Sequence, residues 1–402
     1  MIRVSSPLTR ELERLLPVRP FHVRFWDGNT LAATVPEAPT FLLRRPVALA
    51  HFLAAPGSLG LGRAYVEGAL EVDDLDAAFL VVDSWEPPPL SVTDRARLGA
   101  ALLAAAAPGG IPRRPALELV LRGPLHTAER DAAAVRYHYD VGNEFFALFL
   151  DESMTYSCAI FSRGATTLAD AQQAKLELVA SKLDLQPGMR VLDVGCGWGS
   201  FAIHAAREHG ARVLGITLSE PQAALARARV AEAGVAEMVE IRVADYRLLE
   251  HSSFDAIASI GMSEHVGEKQ IDVYARTLFG LLRPGGVLLN HAIAALDPSA
   301  EPLEDLFSTR YVFPDGEPLA LSRVQLALER AGFHTAHVEG FREDYAVTLR
   351  QWAERLDRNL PEAERLAGPQ RTRVWRLYLR AARHGFDTAL TAVYQVRARR
   401  PG

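Results

Sequence analysis

The sequence predicts an α/β protein: a doubly wound, mostly parallel sheet with helices on both faces, preceded by a smaller N-terminal accessory domain. Three observations predict it. From about residue 126, apolar runs of strand length alternate with helical patterns. The first of these runs, VLDVG, passes through a glycine-rich turn straight into a helical stretch. Finally, composition breaks between about 86 and 125, where EPPPL (86–90) and PGGIPRRP (108–115) flank a short Ala-rich helix. The break separates an accessory domain, 1–125, with a linker over about 86–125, from a second domain, 126–402.

In the accessory domain FHVRFWDG (21–28) alternates and then turns at Asp27-Gly28, as a hairpin does. RPVALAHFLAAPG and LGRAYVEGALEV read as helices. Up to residue 125 there are 13 basic and 13 acidic side chains, so this part is neutral. It carries no chemical constellation, and lipid binding is the role considered for it.

In the second domain MRVLDVG (189–195) is a strand and FAIHAAREHG a helix. ARVLGITLS (211–219) is the next strand, and PQAALARARVAEAG a helix with Pro221 near its start. VEIRVADY (239–246) and FDAIASIG (254–261) are strands three and four. Residues 269–283 form a helix ended by PGG, and VLLNHAI (287–293) is strand five. Alternation at this spacing gives parallel strands covered on both faces. Ligands of such sheets bind outside the carboxyl ends of the strands.

At 402 residues, 49% hydrophobic and 23% charged, the chain has room for two cores. Its longest apolar stretch, LGAALLAAAA (98–107), falls short of the roughly 18–20 residues of a membrane helix. The N-terminal MIRVSSPLTRELERLL is charged where a signal peptide is apolar, so an intracellular, non-spanning protein is expected. Two cysteines, Cys158 and Cys196, exclude a disulfide framework, and no cluster of metal ligands stands out. A net charge of −5 argues against nucleic acid as a partner.

VLDVGCGWGS (191–200) places Gly195, Gly197 and Gly199 where backbone can approach a ligand. The spacing is G-x-G-x-G, not the dinucleotide G-x-G-x-x-G. Asp193, just before the turn, can meet the ammonium of an amino-acid moiety, which suits S-adenosylmethionine better than a pyrophosphate. The plain alternative is a tight turn. Strand two ends in GITLSEPQ (215–222), where Thr217 and Ser219 offer hydroxyls and Glu220 and Gln222 follow. That stretch is either a ribose site or simply a helix N-cap. Asp245 and Tyr246 end strand three, as adenine contacts or as a cap and a packing ring. SIGMSEHVG (259–267) sets Glu264 and His265 just beyond strand four. VRYHYDVGNEFFALFLDESMTYSCAIF (135–161) is rich in aromatics, and residue physics alone assigns Tyr156-Ser157-Cys158 no role.

Taken with LLNHAI, YVFPDGEPL and EDYAVTL, the stretches YHYDVGNEFF, MTYSCAIF, VLDVGCGWGSFAIHAA, GITLSEPQ and IGMSEHVG make the chain resemble the cyclopropane-fatty-acyl-phospholipid synthases and their relatives, the mycolic-acid cyclopropane synthases. They span about 135–350 in the family's order. The resemblance implies a class I methyltransferase (Rossmann-like) catalytic domain that binds S-adenosylmethionine. It implies methyl transfer to a cis double bond of an acyl chain in a membrane phospholipid, and a bound bicarbonate that removes a proton. Cofactor contacts carried over are Tyr156, Ser157, Gly195, Cys196, Gly197, Thr217, Gln222, Asp245 and Tyr246. Bicarbonate ligands carried over are Glu264, His291 and Tyr345, with Cys158 and Ile293 acting through backbone N–H. His265 is then a neighbour that packs or caps. The chain departs from the family at Ser263, often aromatic there, at AIF (159–161) in place of GYW, and at Ala382 in place of a cysteine.

The implied chemistry is attack of an alkene on a sulfonium methyl, leaving a cation on the neighbouring carbon. Loss of a proton from the transferred methyl closes the ring. The site must be apolar to exclude water, and must hold a base. A methylene- or methyl-branched chain formed from the same cation is one alternative, and a non-catalytic S-adenosylmethionine-binding protein is a further one. A membrane substrate implies a cytoplasmic protein at the inner membrane face, and a homodimer is compatible with the family. The arginines of QRTRVWRLYLRAARHGF (370–386) are read either as a headgroup interface or as a solvated helix face.

Overall fold

The computed structural model describes residues 4–121, 123–139, 141–250, 253–296 and 306–402. Two compact units emerge. The first takes in Met1–Leu119, Glu304–Val312 and Ala367–Ala381; the second holds the remainder.

In the first unit β1 (His22–Arg24), β2 (Thr30–Leu31), β3 (Thr40–Leu43) and β4 (Leu70–Val72) form a sheet ordered β2-β1-β3-β4. The expected hairpin is present: β1 and β2 are antiparallel, and Gly28 takes the positive φ of 77° that the turn requires. Asp27 does more than turn the chain, since Ser5 donates to its carboxylate from both N–H and hydroxyl. LGRAYVEGALEV splits: Ser58–Val66 is helical, and its end becomes β4. Leu8, Phe25, Leu43, Leu49, Ala64, Leu70 and Ala105 form the core of this unit.

The second unit carries a seven-stranded sheet ordered β10-β11-β9-β8-β5-β6-β7. Its strands are β5 (Arg190–Val194), β6 (Arg212–Thr217), β7 (Val239–Val243), β8 (Phe254–Ile260), β9 (Leu282–Ala295), β10 (His334–Gly340) and β11 (Thr391–Arg399). The pairs from β7 through β9 are parallel, while β11 runs antiparallel to both β9 and β10. All five expected strands are present. The chain leaves β5 for β6 on one side and returns as β8 on the other, so the topological switch lies at β5. Two cores cover the faces of the sheet, one including Leu176, Val191, Phe201, Val213 and Leu289, the other Leu192, Ile257, Tyr274, Leu288 and Phe333.

Candidate active site

Every strand of the parallel segment that ends near the switch point contributes to one cleft, with about 1150 Å³ of atom-free space. Its lining includes all ten residues expected at the cofactor: Tyr156, Ser157, Asp193, Gly195, Cys196, Gly197, Thr217, Gln222, Asp245 and Tyr246. The turn after β5 explains its own sequence. Gly195, Gly197 and Gly199 have φ of 77°, 54° and 83°, which side-chain-bearing residues rarely adopt. At Gly197 a Cβ would meet no protein atom within 4 Å. Space is thus kept on the cleft side of the backbone. Cys196 is buried, its thiol is held neutral by burial, and a Cβ on Gly215 would lie only 3.1 Å from its Sγ.

Beyond β6, Thr217 Oγ1 donates to Gln222 Oε1 at 2.8 Å, while Ser219 Oγ accepts from Gln222 N–H and caps the helix Glu220–Glu232. Cap and cleft wall are therefore the same stretch. Asp245 also lines the cleft, but Arg247 holds its carboxylate through several N–H groups, and Arg247 reaches Asp131 as well at 2.9 Å. The aromatic segment resolves into a wall. Phe145 and Phe146 are fully buried, and Phe146 packs 5.4 Å from the Tyr156 ring and 5.1 Å from Trp198. Tyr139 and Trp198 join the lining, although the sequence marked neither; Asp140 of the same motif lies outside the described residues.

Glu264 and His265 part company. His265 lines the cleft, and burial holds its imidazole neutral, its pKa lowered to about 4. Glu264 turns to β9, where Oε1 accepts from Ile293 N–H at 2.9 Å. The Ile293 N–H expected for an anion is therefore engaged by Glu264 in this structure. Burial raises the Glu264 carboxyl to about 7 against that hydrogen bond, and its Oε2 is buried with no partner among the described residues.

His291 stands two residues before Ile293 on β9, on the same face of the strand. Its tautomer follows from its neighbours. Lys182 Nζ only donates, and it donates to Gln395 Oε1 at 2.7 Å. The amide nitrogen of Gln395 is thereby turned to His291 Nδ1, 3.1 Å away. Nδ1 accepts, so the imidazole proton sits on Nε2. Burial lowers the pKa to about 3, so the ring is neutral, and Nε2 is buried without a partner among the described residues. A neutral N–H and a protonatable carboxyl, both unsatisfied, suit a small oxyanion.

The helix Arg342–Arg358 brings the rest. Asp344 accepts from Phe161 and Ser162 N–H at 2.6 and 2.7 Å, and Thr348 Oγ1 from Ala159 N–H at 3.0 Å, which pins the segment after Cys158. Cys158 Sγ lies 3.8 Å from Phe341 O, and Phe341 N–H donates to Val393, the β11 partner of Ile293. Tyr345 is one turn beyond Phe341, its ring 4.6 Å from Phe386. A chain of contacts through Phe341 and Val393 thus joins Cys158 to Ile293 and Glu264, and none of the five residues expected at the anion is among those lining the cleft. The Cys158 thiol is fully buried and its pKa is pushed well up, so it stays protonated.

Two further groupings were not legible. Glu177, His204 and His209 come together, both imidazoles hydrogen-bonding Glu177 Oε2 at 3.2 and 3.1 Å. The arginine helix is neither of the two expected surfaces over Arg373–Arg380. Within the first unit Arg373 meets Glu71 at 2.9 Å and Tyr65 O, and Arg380, 7% exposed, meets Asp76 at 3.1 Å.

Sequence and structure comparisons identify the family. The family model described as "Mycolic acid cyclopropane synthetase" matches residues 126–396. A protein of Mycobacterium tuberculosis named "Probable fatty acid methyltransferase" is 37% identical over 396 residues, 96% of this chain and 92% of that one. The cyclopropane-fatty-acyl-phospholipid synthase of Escherichia coli is 33% identical over 346 residues, 85% of this chain and 82% of its own. The solved structure of mycolic acid cyclopropane synthase CmaA1, complexed with SAH and CTAB, is 33% identical with a TM-score of 0.63, covering 67% of this chain and 98% of that one. A fold with its cleft at the β5 switch, the full set of cleft residues and a matching family model lead to one conclusion: the chain belongs to the mycolic acid cyclopropane synthetase family and is an S-adenosylmethionine-dependent methyltransferase of the cyclopropane synthase type.

Proposed function

We propose that the chain modifies a cis double bond of an unsaturated acyl chain carried by a membrane phospholipid, forming a cyclopropane, with bicarbonate as the base. The observation that carries this reading is the pair of buried, unsatisfied groups Glu264 Oε2, next in sequence to the cleft-lining His265, and His291 Nε2–H, paired across the sheet with the cleft-lining Ile260. A buried polar group without a partner costs about 1–3 kcal/mol, so a native site keeps one where a ligand satisfies it. When bound, S-adenosylmethionine supplies an electrophilic sulfonium methyl, and bicarbonate an acceptor for the departing proton.

The residues have separate duties. Gly195, Cys196 and Gly197 present backbone to the cofactor, Thr217 and Gln222 the ribose side, Asp245 and Tyr246 the adenine side, and Tyr156 and Ser157 the opposite wall. His291 holds the anion as a donor, and Glu264 donates or accepts a proton at Oε2. Tyr345 and the N–H groups of Cys158 and Ile293 complete the anion's surroundings; for Ile293 that requires Glu264 to release it. Fully buried Ala159 and Ile160 keep water from a cationic acyl carbon.

A branched product is the second reading. It is favoured by relatives named as fatty acid methyltransferases, one a tuberculostearic acid methyltransferase of Mycobacterium tuberculosis at 32% identity, and by the small, apolar AIF at 159–161. We place the protein at the cytoplasmic face of the membrane as a peripheral enzyme. No helix among the described residues is long and apolar enough to cross a membrane. The test is incubation with methyl-labelled cofactor and vesicles of unsaturated phospholipid, followed by proton NMR and mass spectrometry. Upfield ring protons support the cyclopropane, and vinylidene or methyl-branch signals the second reading. No label in lipid defeats both.

A further inference from the structure

The cleft contains two buried ionisable groups of opposite charge that do not pair with each other. Lys175, on the helix Leu168–Lys182, is 1% exposed and lines the cleft. Its Nζ donates to Ser157 Oγ at 2.9 Å, its single hydrogen bond among the described residues. Asp193, 2% exposed at the end of β5, lines the same cleft, and its Oδ2 has no partner among the described residues. Asp151 is near enough to influence Lys175, but its carboxylate already accepts from Ser153 and Thr155.

A buried ammonium costs several kcal/mol unless its donors are met, and one neutral hydroxyl meets one of three. An apolar side chain of the same length would fill the space at less cost. The Ser157 hydroxyl is also constrained. Because Lys175 occupies a lone pair on its oxygen, its own proton is directed elsewhere. Gln172 holds the segment in place by donating to the carbonyls of Thr155 and Ser157 at 3.2 and 2.9 Å. Ser157 and Lys175 together therefore offer adjacent donors, and Asp193 offers acceptors, within one cleft.

We infer that Lys175, with the Ser157 hydroxyl it engages, selects for the carboxylate of a zwitterionic α-amino acid group whose ammonium meets Asp193 in the same subsite. The inference rests on the reading that the cleft holds S-adenosylmethionine, whose amino-acid end is such a zwitterion. Burial pulls Lys175 down to about 8 and Asp193 up to about 7, so a zwitterion filling the subsite favours the charged form of each.

The test is calorimetric binding, with no lipid and no turnover. S-adenosylhomocysteine carries the whole amino-acid end, and 5′-methylthioadenosine lacks it. Lys175→Met is expected to weaken S-adenosylhomocysteine roughly 10- to 100-fold, the range for a charge-assisted hydrogen bond, and to leave 5′-methylthioadenosine within about twofold. Lys175→Arg should recover part of the loss. Equal weakening of both ligands, or of neither, overturns the inference, since the lysine would then be structural or idle. A second measurement needs no variant: in the wild-type protein, S-adenosylhomocysteine should bind at least about tenfold more tightly than its decarboxylated form. A gap below about threefold refutes the subsite even if Lys175→Met does not fold. If the wild type binds none of these adenosine ligands, the cofactor reading itself falls. If it binds them and Lys175 is silent, only the subsite does.

Discussion

At the scale of single residues, the site depends on which atoms are left unsatisfied. Glu264→Gln and His291→Ala should reduce turnover by about two orders of magnitude or more with cofactor affinity nearly intact, as expected of groups that place a base. His265→Ala, in contrast, should raise the cofactor Kd, because His265 lines the cleft. Kinetics with parallel calorimetry separates the two classes of effect; a pure affinity loss at Glu264 would move it into the cofactor site. The tautomer of His291 gives a sharper check. Gln395→Glu places an acceptor at Nδ1, draws the proton there and strips Nε2 of its hydrogen, and turnover should drop about a hundredfold. Nitrogen-15 NMR of the imidazole should show Nε2–H in the wild type and the other tautomer in the variant; an Nδ1–H signal in the wild type contradicts the assignment. Glu264 also marks the stability curve of the ligand-free protein. Its folded carboxyl titrates at about 7 against an ordinary 4.5, so between those values the native state holds the extra proton. Stability then falls as pH rises through that window, by up to about 1.4 kcal/mol per pH unit for such a group, and is unaffected by this group below it. Asp193 contributes in the same direction. Glu264→Gln should flatten the slope in urea titrations between pH 4.5 and 7 without removing it; a parallel curve would mean that Glu264 has ordinary acidity.

At the scale of elements, the glycine turn is the most telling segment. Gly197→Val brings strain of about 1–2 kcal/mol at positive φ, yet its side chain meets no protein atom within 4 Å. The variant should therefore fold with reduced stability and lose cofactor binding by calorimetry; a folded variant with unchanged affinity removes the turn from the site. This explains why the parallel strands and the turn were legible. Periodicity and glycine spacing are local, and β5 through β9 each announce themselves by an apolar run. β10 and β11 did not: HTAHVEG is mostly polar, and β11 carries Gln395, Arg397 and Arg399 among its apolar residues, so only pairing with its neighbours β9 and β10 makes a strand of it. The same blindness hid Gln395, Lys182 and Lys175, whose meaning lies in partners 104, 213 and 18 positions away. The positions proposed for the anion came through family resemblance, not through residue chemistry. That resemblance could not show that Ile293 N–H is held by Glu264, because a side-chain rotamer leaves no trace in sequence.

At the scale of the whole molecule, the arginine-rich helix changes meaning. Its charges allow either a headgroup interface or a solvated face, because sequence shows charge without showing who meets it. Arg380→Leu removes the Arg380–Asp76 ion pair and should cost the first unit about 1–3 kcal/mol, seen as an earlier transition in urea. Vesicle co-sedimentation of the folded variant should match wild type; lost binding without lost stability would restore the headgroup reading.

The first unit is assembled from three stretches, Met1–Leu119, Glu304–Val312 and Ala367–Ala381. Gene fusion and truncation treat a chain as a tape to be cut once. Here a single cut near residue 120 would strand Arg373 and Arg380 without Glu71 and Asp76, and would leave the N-terminal piece lacking both later inserts. A chimaera that exchanges this unit with a relative must therefore graft three segments together, and one that carries over only the first hundred or so residues inherits the mismatch at every arginine.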